Sequence, residues 1–322
     1  MFDCKINNIY YFIFYFRLDF LSKLLSEMKL TLTIALTALS LCAFSQQEIK
    51  LYEGEAPGSE GVTNNEKVQR DANGRIQTIS GVVEPSITVF LPEAGKSTGT
   101  AVILCSGGAL AAHSWGDNVI SMAEWLNQRG IAAIGLKYRT RTNVGPRPHT
   151  SKPLNITVTE FDQLQKSNAN PDQSGATDAS IDNAINDALR AMEIVRQNAD
   201  KWHIDTTKIG YLGFSAGAGV AIGAVLRADN QHRAAFIASV FGPSLIDVEV
   251  PQNAPKLFIA TRGNHKNVAA GLLSLYLDWK KAGANAEMHF YDDGTGPFGS
   301  GDTGNTSSTW RENFYRWLTF NF

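Results

Sequence analysis

The chain has 322 residues, with 29 Lys and Arg against 31 Asp and Glu and a formal net charge of −2. Hydrophobic residues make up 43% and charged residues 19%, an ordinary globular balance with enough apolar material for a sizeable core. There is no basic excess to attract nucleic acid or an anionic membrane surface, so neither has compositional support as a partner and neither is expected.

The first segment is read as targeting rather than fold. Met28-Lys29, the apolar stretch Leu30 to Ala43, and then Ala43-Phe44-Ser45 have the layout of an export signal with a cleavage site before Gln46. The apolar stretch is too short for a comfortable membrane span. Cys42 offers a lipid-anchor alternative, ranked second because Leu41 before it is bulky. Residues 1–27 lie upstream of a complete signal and are expected to be a mis-start segment, with translation from Met28. Residues 28–45 are then the signal and 46–322 the exported chain. Cys105 would be its single cysteine, without an internal disulfide, and reads as a small buried hydrophobe.

Along the exported chain, a polar entry (Glu53 to Gly74) precedes Ser86 to Leu91, whose alternation predicts a half-exposed strand. Thr100 to Leu104 is a continuous apolar run, as in a central parallel strand. A helix from about Asp117 to Gln128 and a buried strand from Ile131 to Tyr138 follow. The stretch 139–175 is rich in Pro, Asn, Thr and Asp, has little periodicity and is long for a connector, as functional lids or mobile excursions are. Asp178 to Asp200 predicts a long helix with Ile181, Ile185, Leu189, Met192 and Val195 on one face. Short apolar strands are expected at 209–212, 234–241, 256–261 and 286–291, with helices at about 218–226, 268–282 and 309–318. Strands alternating with helices in this way predict a single α/β domain with a mostly parallel, doubly wound sheet.

One motif carries chemistry. Gly213-Phe214-Ser215-Ala216-Gly217 reads Gly-x-Ser-x-Gly, preceded by an apolar strand and followed by small helix-forming residues. That is the context of a nucleophile elbow in an α/β-hydrolase fold, with Ser215 as nucleophile. The two glycines are expected to permit the tight turn. A serine hydroxyl also needs a base, a group to orient that base, and donors for the developing oxyanion. Gly107 and Gly108 follow the central strand where such folds place an oxyanion loop, so the amides of Gly107 or Gly108, with that of Ala216, are the candidate donors. No clustered Cys or His suggests a metal site, and no Gly-rich loop with a Lys suggests a nucleotide, so no cofactor is expected.

Several motifs together resemble one group. Leu51-Tyr52-Glu53-Gly54-Glu55-Ala56-Pro57-Gly58, the strand ending in Gly107-Gly108, Ala123-Glu124-Trp125-Leu126-Asn127, Leu136-Lys137-Tyr138-Arg139 and Leu212 to Gly217 are similar to secreted bacterial α/β-hydrolases of the acetyl xylan esterase and carbohydrate esterase type. The resemblance implies an exported esterase acting on acylated carbohydrate. The chain departs from that pattern at three places. A Pro-Gly-Gly-Gly-Tyr-like loop is replaced by Ser106-Gly107-Gly108-Ala109-Leu110. The aligned acid pair is Asn264-His265. The turn that usually carries the basic histidine is Gly294-Thr295-Gly296-Pro297-Phe298-Gly299, without one.

His265, in the acid loop, is the leading substitute base, with Asp292, Asp293 or Asp302 to orient it; the alternative is a loop histidine without a role. His289 is expected to be structural, and His203 and His232 to be surface residues. His149 lies in the insertion. His113 is expected to face solvent rather than line the pocket, and Trp115 to form a pocket wall rather than stack on a sugar. Two functions follow. One is a secreted serine esterase removing acetyl or similar groups from polysaccharide fragments through an acyl-Ser215 intermediate. The other is an impaired pseudo-hydrolase that binds carbohydrate or a protein partner.

Overall fold

The structure is a computed structural model that describes residues 47–141, 179–229, 232–264, 268–294, 296–301 and 303–322. These belong to one compact unit, Gln46–Phe322. The expectations for residues 1–45, for most of the 139–175 insertion, and for His149, His265 and Asp302 lie outside the described residues.

Eight strands form the main sheet: β1 (Gln47–Lys50), β4 (Ser86–Phe90), β5 (Ala101–Cys105), β7 (Ala132–Lys137), β8 (Ile209–Phe214), β9 (Phe236–Val240), β10 (Lys256–Arg262) and β11 (Ala286–Tyr291). Their order is β1-β4-β7-β5-β8-β9-β10-β11. β1 and β4 are antiparallel to their neighbours, and the strands from β7 to β11 run parallel. Every residue of β5, β8 and β9 is buried, which explains why these segments read as unbroken apolar runs rather than alternating ones. β4 was expected to be half-exposed, yet only Thr88 escapes full burial. The reason is its place between β1 and β7 rather than at an edge.

Helices cover both faces. A π-helical turn, Gly116–Ser121, runs straight into α1 (Met122–Asn127). With α5 (Trp310–Asn321) it encloses one core containing Val102, Leu104, Leu212, Phe214, Phe258 and Trp310. α2 (Ala179–Gln197), α3 (Ala216–Arg227) and α4 (Ala269–Lys281) enclose the other, around Ile103, Ile185, Tyr211, Val220, Ile237 and Ile259. Each such aliphatic side chain, fully removed from water, contributes on the order of 1.5–3 kcal/mol.

A second, three-stranded antiparallel sheet lies outside the elements expected from the residue pattern. It consists of β2 (Lys67–Arg70), β3 (Ile76–Ser80) and β6 (Ala112–His113). β6 lies just beyond the candidate oxyanion loop, and β3 pairs with it through Ile79 opposite His113 and Ser80 opposite Ala112.

Chain reversal sets the location of the site. β5 leads outward to β7, while β8 leads the opposite way to β9, and the two strands are neighbours with Cys105 opposite Gly213. The crevice beyond their carboxyl ends is the topological switch point where open α/β sheets bind ligands.

Candidate active site

β8 ends at Phe214 and α3 begins at Ala216, so a single residue, Ser215, makes the turn between them. Its backbone stands at φ 51°, ψ −125°. For a residue with a Cβ this costs on the order of 1–3 kcal/mol and persists only where neighbours enforce it. The enforcement is visible. The Ser215 N–H donates to Val240 O at 3.0 Å, and its carbonyl accepts from Ala218 N–H at 2.9 Å. A Cβ on Gly213 would run into the Ala218 backbone, and one on Gly217 into the carbonyl oxygens of Cys105 and Ser106. The glycines of the motif therefore permit close approach, while the serine itself carries the strain. Ser215 is half-buried, and its side chain makes no capping bond to the first turn of α3.

Facing it is the loop after β5. A Cβ on Gly107 would lie 3.1 Å from Ser215 Cβ, so the loop and the elbow are in contact. The Gly107 N–H donates to Asn118 Oδ1 at 3.0 Å. Among the described residues, no acceptor meets the N–H of Gly108 or of Ala216. Gly108 has φ 140°, and a Cβ there would strike Ala112 O; its own carbonyl accepts from Ala111 and Ala112 N–H, closing the loop on itself.

His113 is fully buried rather than solvent-facing. Its Nε2–H donates to Tyr138 O at 2.8 Å, which leaves Nδ1 to accept from the Ser106 hydroxyl at 2.7 Å. The Tyr138 hydroxyl in turn donates to Ser106 O at 2.7 Å. Burial pushes the imidazole down to about 4, so it is neutral at pH 7. Both nitrogens are committed, and His113 braces the loop from behind. Trp115 is buried in the core beside Gly135, out of reach of a sugar ring.

The far side of the site is built differently. Arg262, at the end of β10, donates from Nε to Asp293 Oδ1 at 2.8 Å, from Nη1 to Pro297 O at 3.1 Å and from Nη2 to Ser307 Oγ at 3.0 Å. Asp293 Oδ2 accepts from Ser307 N–H and from the Thr306 hydroxyl. Desolvation raises this carboxyl, but the Ser307 amide, the Arg262 guanidinium and Thr306 outweigh it and hold Asp293 well below the usual carboxylate range. Asp293 is thus committed to the turn. Asp292 accepts from Asn264 Nδ2 at 2.6 Å, across the acid loop. His289 stacks on Tyr291, lies tilted against Phe258 and contacts Glu287 Oε1 at 2.8 Å. His232 contacts Asp229 at the surface, and His203 is exposed.

One pair escaped the sequence reading. Asn118 is buried at 4% exposure, and its Nδ2 donates to Asp117 Oδ2 at 2.8 Å. Asp117 also accepts from Ser300 in the turn after β11. The only available signal was a polar residue followed by Val119-Ile120 at the start of a helix, which ordinarily reads as a solvated helix end.

The BD-FAE family model matches residues 150–253, which include the elbow. No curated protein matches this chain in sequence. Solved structures match over most of their length. The acetyl ester-xyloside bifunctional hydrolase from Caldicellulosiruptor lactoaceticus is 19% identical with a TM-score of 0.56, covering 85% of this chain and 96% of that one. A thermophilic esterase from the Planctomycetes species Thermogutta terrifontis is 17% identical with a TM-score of 0.53, covering 79% and 91%. MGS-M1, an alpha/beta hydrolase enzyme from a Medee basin deep-sea metagenome library, is 17% identical with a TM-score of 0.52, covering 80% and 98%. At such identities the likeness speaks for architecture alone. With the mostly parallel sheet, the switch-point crevice and the elbow serine, it establishes that this chain has the α/β-hydrolase fold.

Proposed function

We propose that the protein is an exported serine-dependent carboxylic ester hydrolase. The observation that carries this is the enforced backbone of Ser215 at φ 51°, ψ −125°, between a buried strand and a helix N-terminus. A strained non-glycine residue held at the carboxyl end of a central strand, at the switch point of the sheet, is the kind of outlier that marks a functional site. In the reaction, Ser215 Oγ attacks the ester carbonyl carbon while its proton passes to a base. The amides of Gly108 and Ala216 receive the negative charge on the carbonyl oxygen, since the Gly107 amide is already given to Asn118. The alcohol leaves with a proton, and water then releases the acid from Ser215.

His265 is the proposed base. The motif alignment supports it, and Asn264, the residue before it in sequence, donates to Asp292 at 2.6 Å. Acylated carbohydrate is the proposed substrate class. The motif resemblance supports it, as does a structural neighbour described as an acetyl ester-xyloside hydrolase. The signal-like segment 28–45 supports export.

Hydrolysis of an aryl acetate and of acetylated xylo-oligosaccharides tests the proposal. Wild type should exceed Ser215→Ala by about 10³-fold or more in kcat/KM, and equal rates would end the esterase reading. Full activity in His265→Ala would remove that base while leaving the enzyme. A second reading, an impaired hydrolase retained for binding, is favoured by one observation: the turn Gly294–Gly299 holds no histidine, and Arg262 and Asp293 anchor it instead.

A further inference from the structure

We propose that Asn118 is the positioning residue of the loop carrying Gly107 and Gly108, and that Asp117 and Ser300 hold it there. The turn after the last strand and the loop facing Ser215 would then form one mechanical unit. The inference rests on the acyl-transfer reading for its kinetic consequence, though not for its geometry.

A primary amide has two acceptor sites on oxygen and two donors on nitrogen, so its orientation follows from what it meets. Asn118 Oδ1 accepts from Gly107 N–H at 3.0 Å, and Nδ2 donates to Asp117 Oδ2 at 2.8 Å. The carboxylate on the donor side fixes which end of the amide faces the loop. The other oxygen of Asp117 accepts from the Ser300 hydroxyl at 2.7 Å and from the Ser300 N–H at 3.2 Å. Asn118 and Ser300 are 4% and 1% exposed, so water does not compete effectively for these bonds. The neighbouring Gly299 carbonyl accepts from Trp310 Nε1 at 3.1 Å, which anchors the turn to α5.

Position turns this network from packing into function. A Cβ on Gly107 would lie 3.1 Å from Ser215 Cβ and 3.4 Å from Asn118 Oδ1, so the carboxamide and the serine flank the same glycine. Holding the Gly107 N–H toward Asn118 fixes the Ser106–Gly107 peptide plane, and the Gly107 carbonyl, accepting from Ser114 N–H at 2.9 Å, fixes the next plane, which carries the Gly108 N–H. The unaccepted Gly108 N–H is thereby left as the loop's donor to the oxyanion. Misplacing a catalytic group by about 1 Å can cost about 10²-fold in rate, and a di-glycine loop has little stiffness of its own.

The experiment combines amide hydrogen exchange with aryl acetate kinetics on the full chain, comparing wild type, Asn118→Ala, Asp117→Asn and Asp117→Ala. In Asn118→Ala, exchange at Gly107 should accelerate about 10-fold or more while Leu104 in β5 stays protected, and kcat should fall about 30-fold with KM within about twofold. Asp117→Asn keeps an acceptor for Asn118 and should retain kcat within about threefold. Asp117→Ala should lose about 10-fold. If Asn118→Ala does not fold, the two Asp117 variants carry the same comparison. Unchanged exchange at Gly107, or a rise in KM with kcat intact, would overturn the proposal. A wild type without esterase activity would defeat the acyl-transfer reading instead, and the exchange result alone would then decide whether Asn118 holds the loop.

Discussion

Two arginine–aspartate pairs flank the serine strand, each two strands away from β8 in sheet order. Past β7, Arg139 grips Asp187 of α2 through Nε and Nη2, while Nη1 reaches Pro57 O at 2.6 Å and Ser59 Oγ at 3.0 Å. The pair is 4% and 0% exposed, and burial pushes the Asp187 carboxyl upward against the pull of Arg139. At the end of β10, Arg262 grips Asp293 with 10% and 12% exposure. There the balance runs the other way and the carboxyl is held low. The same ion pair thus performs two tasks. On one flank it ties the N-terminal segment at Pro57 and Ser59 to the core. On the other it stiffens the turn that follows the last strand, through Pro297 O and Ser307.

The largest stability effect should come from the first pair. Asp187→Ala leaves a buried guanidinium without its counter-ion and should cost about 4 kcal/mol in a urea melt. A loss under about 1 kcal/mol would mean that Arg139 relaxes into solvent and that the flanks are equivalent. Next comes His113 on the same flank. Its folded value of about 4 lies below the ordinary 6.5, so the unfolded chain takes the proton first. Stability is then complete above about pH 6.5 and declines by about 3 kcal/mol as pH falls to about 4. His113→Gln should flatten that slope, and an unchanged slope would assign it elsewhere.

Asp293 titrates in a separate window. Its folded value is depressed, so its contribution is present above the unfolded value near pH 4 and is lost only below that. Asp293→Asn should cost about 1.5 kcal/mol at pH 7, and Arg262→Met combined with Asp293→Leu should recover most of it. The smallest effect has the opposite sign. Ser215→Gly relieves the left-handed backbone and should raise stability by about 1 kcal/mol while abolishing turnover.

The parallel strands and the elbow were legible because burial on both faces leaves a run of apolar residues that periodicity can register. β2 was not, since its Lys67, Val68, Gln69 and Arg70 are all exposed and present no face to detect. β6 has two residues, too few for any pattern. The roles of Asn118 and His113 depend on partners many residues away, Gly107 and Ser300 for one network and Ser106 and Tyr138 for the other. Neither residue type announces such partners locally.

The β2–β3 hairpin couples an exposed turn to the loop facing Ser215. Its turn is organised by Asp71 Oδ1, which accepts from the N–H groups of Asn73 and Arg75 at 2.9 Å each, and its inner strand holds β6 beside the loop that faces Ser215. A single proteolytic nick at this exposed turn would leave the eight-stranded sheet intact and still slacken that loop. Faster amide exchange at Gly107 and Gly108 in the nicked chain, with β5 still protected, would register that loss of support.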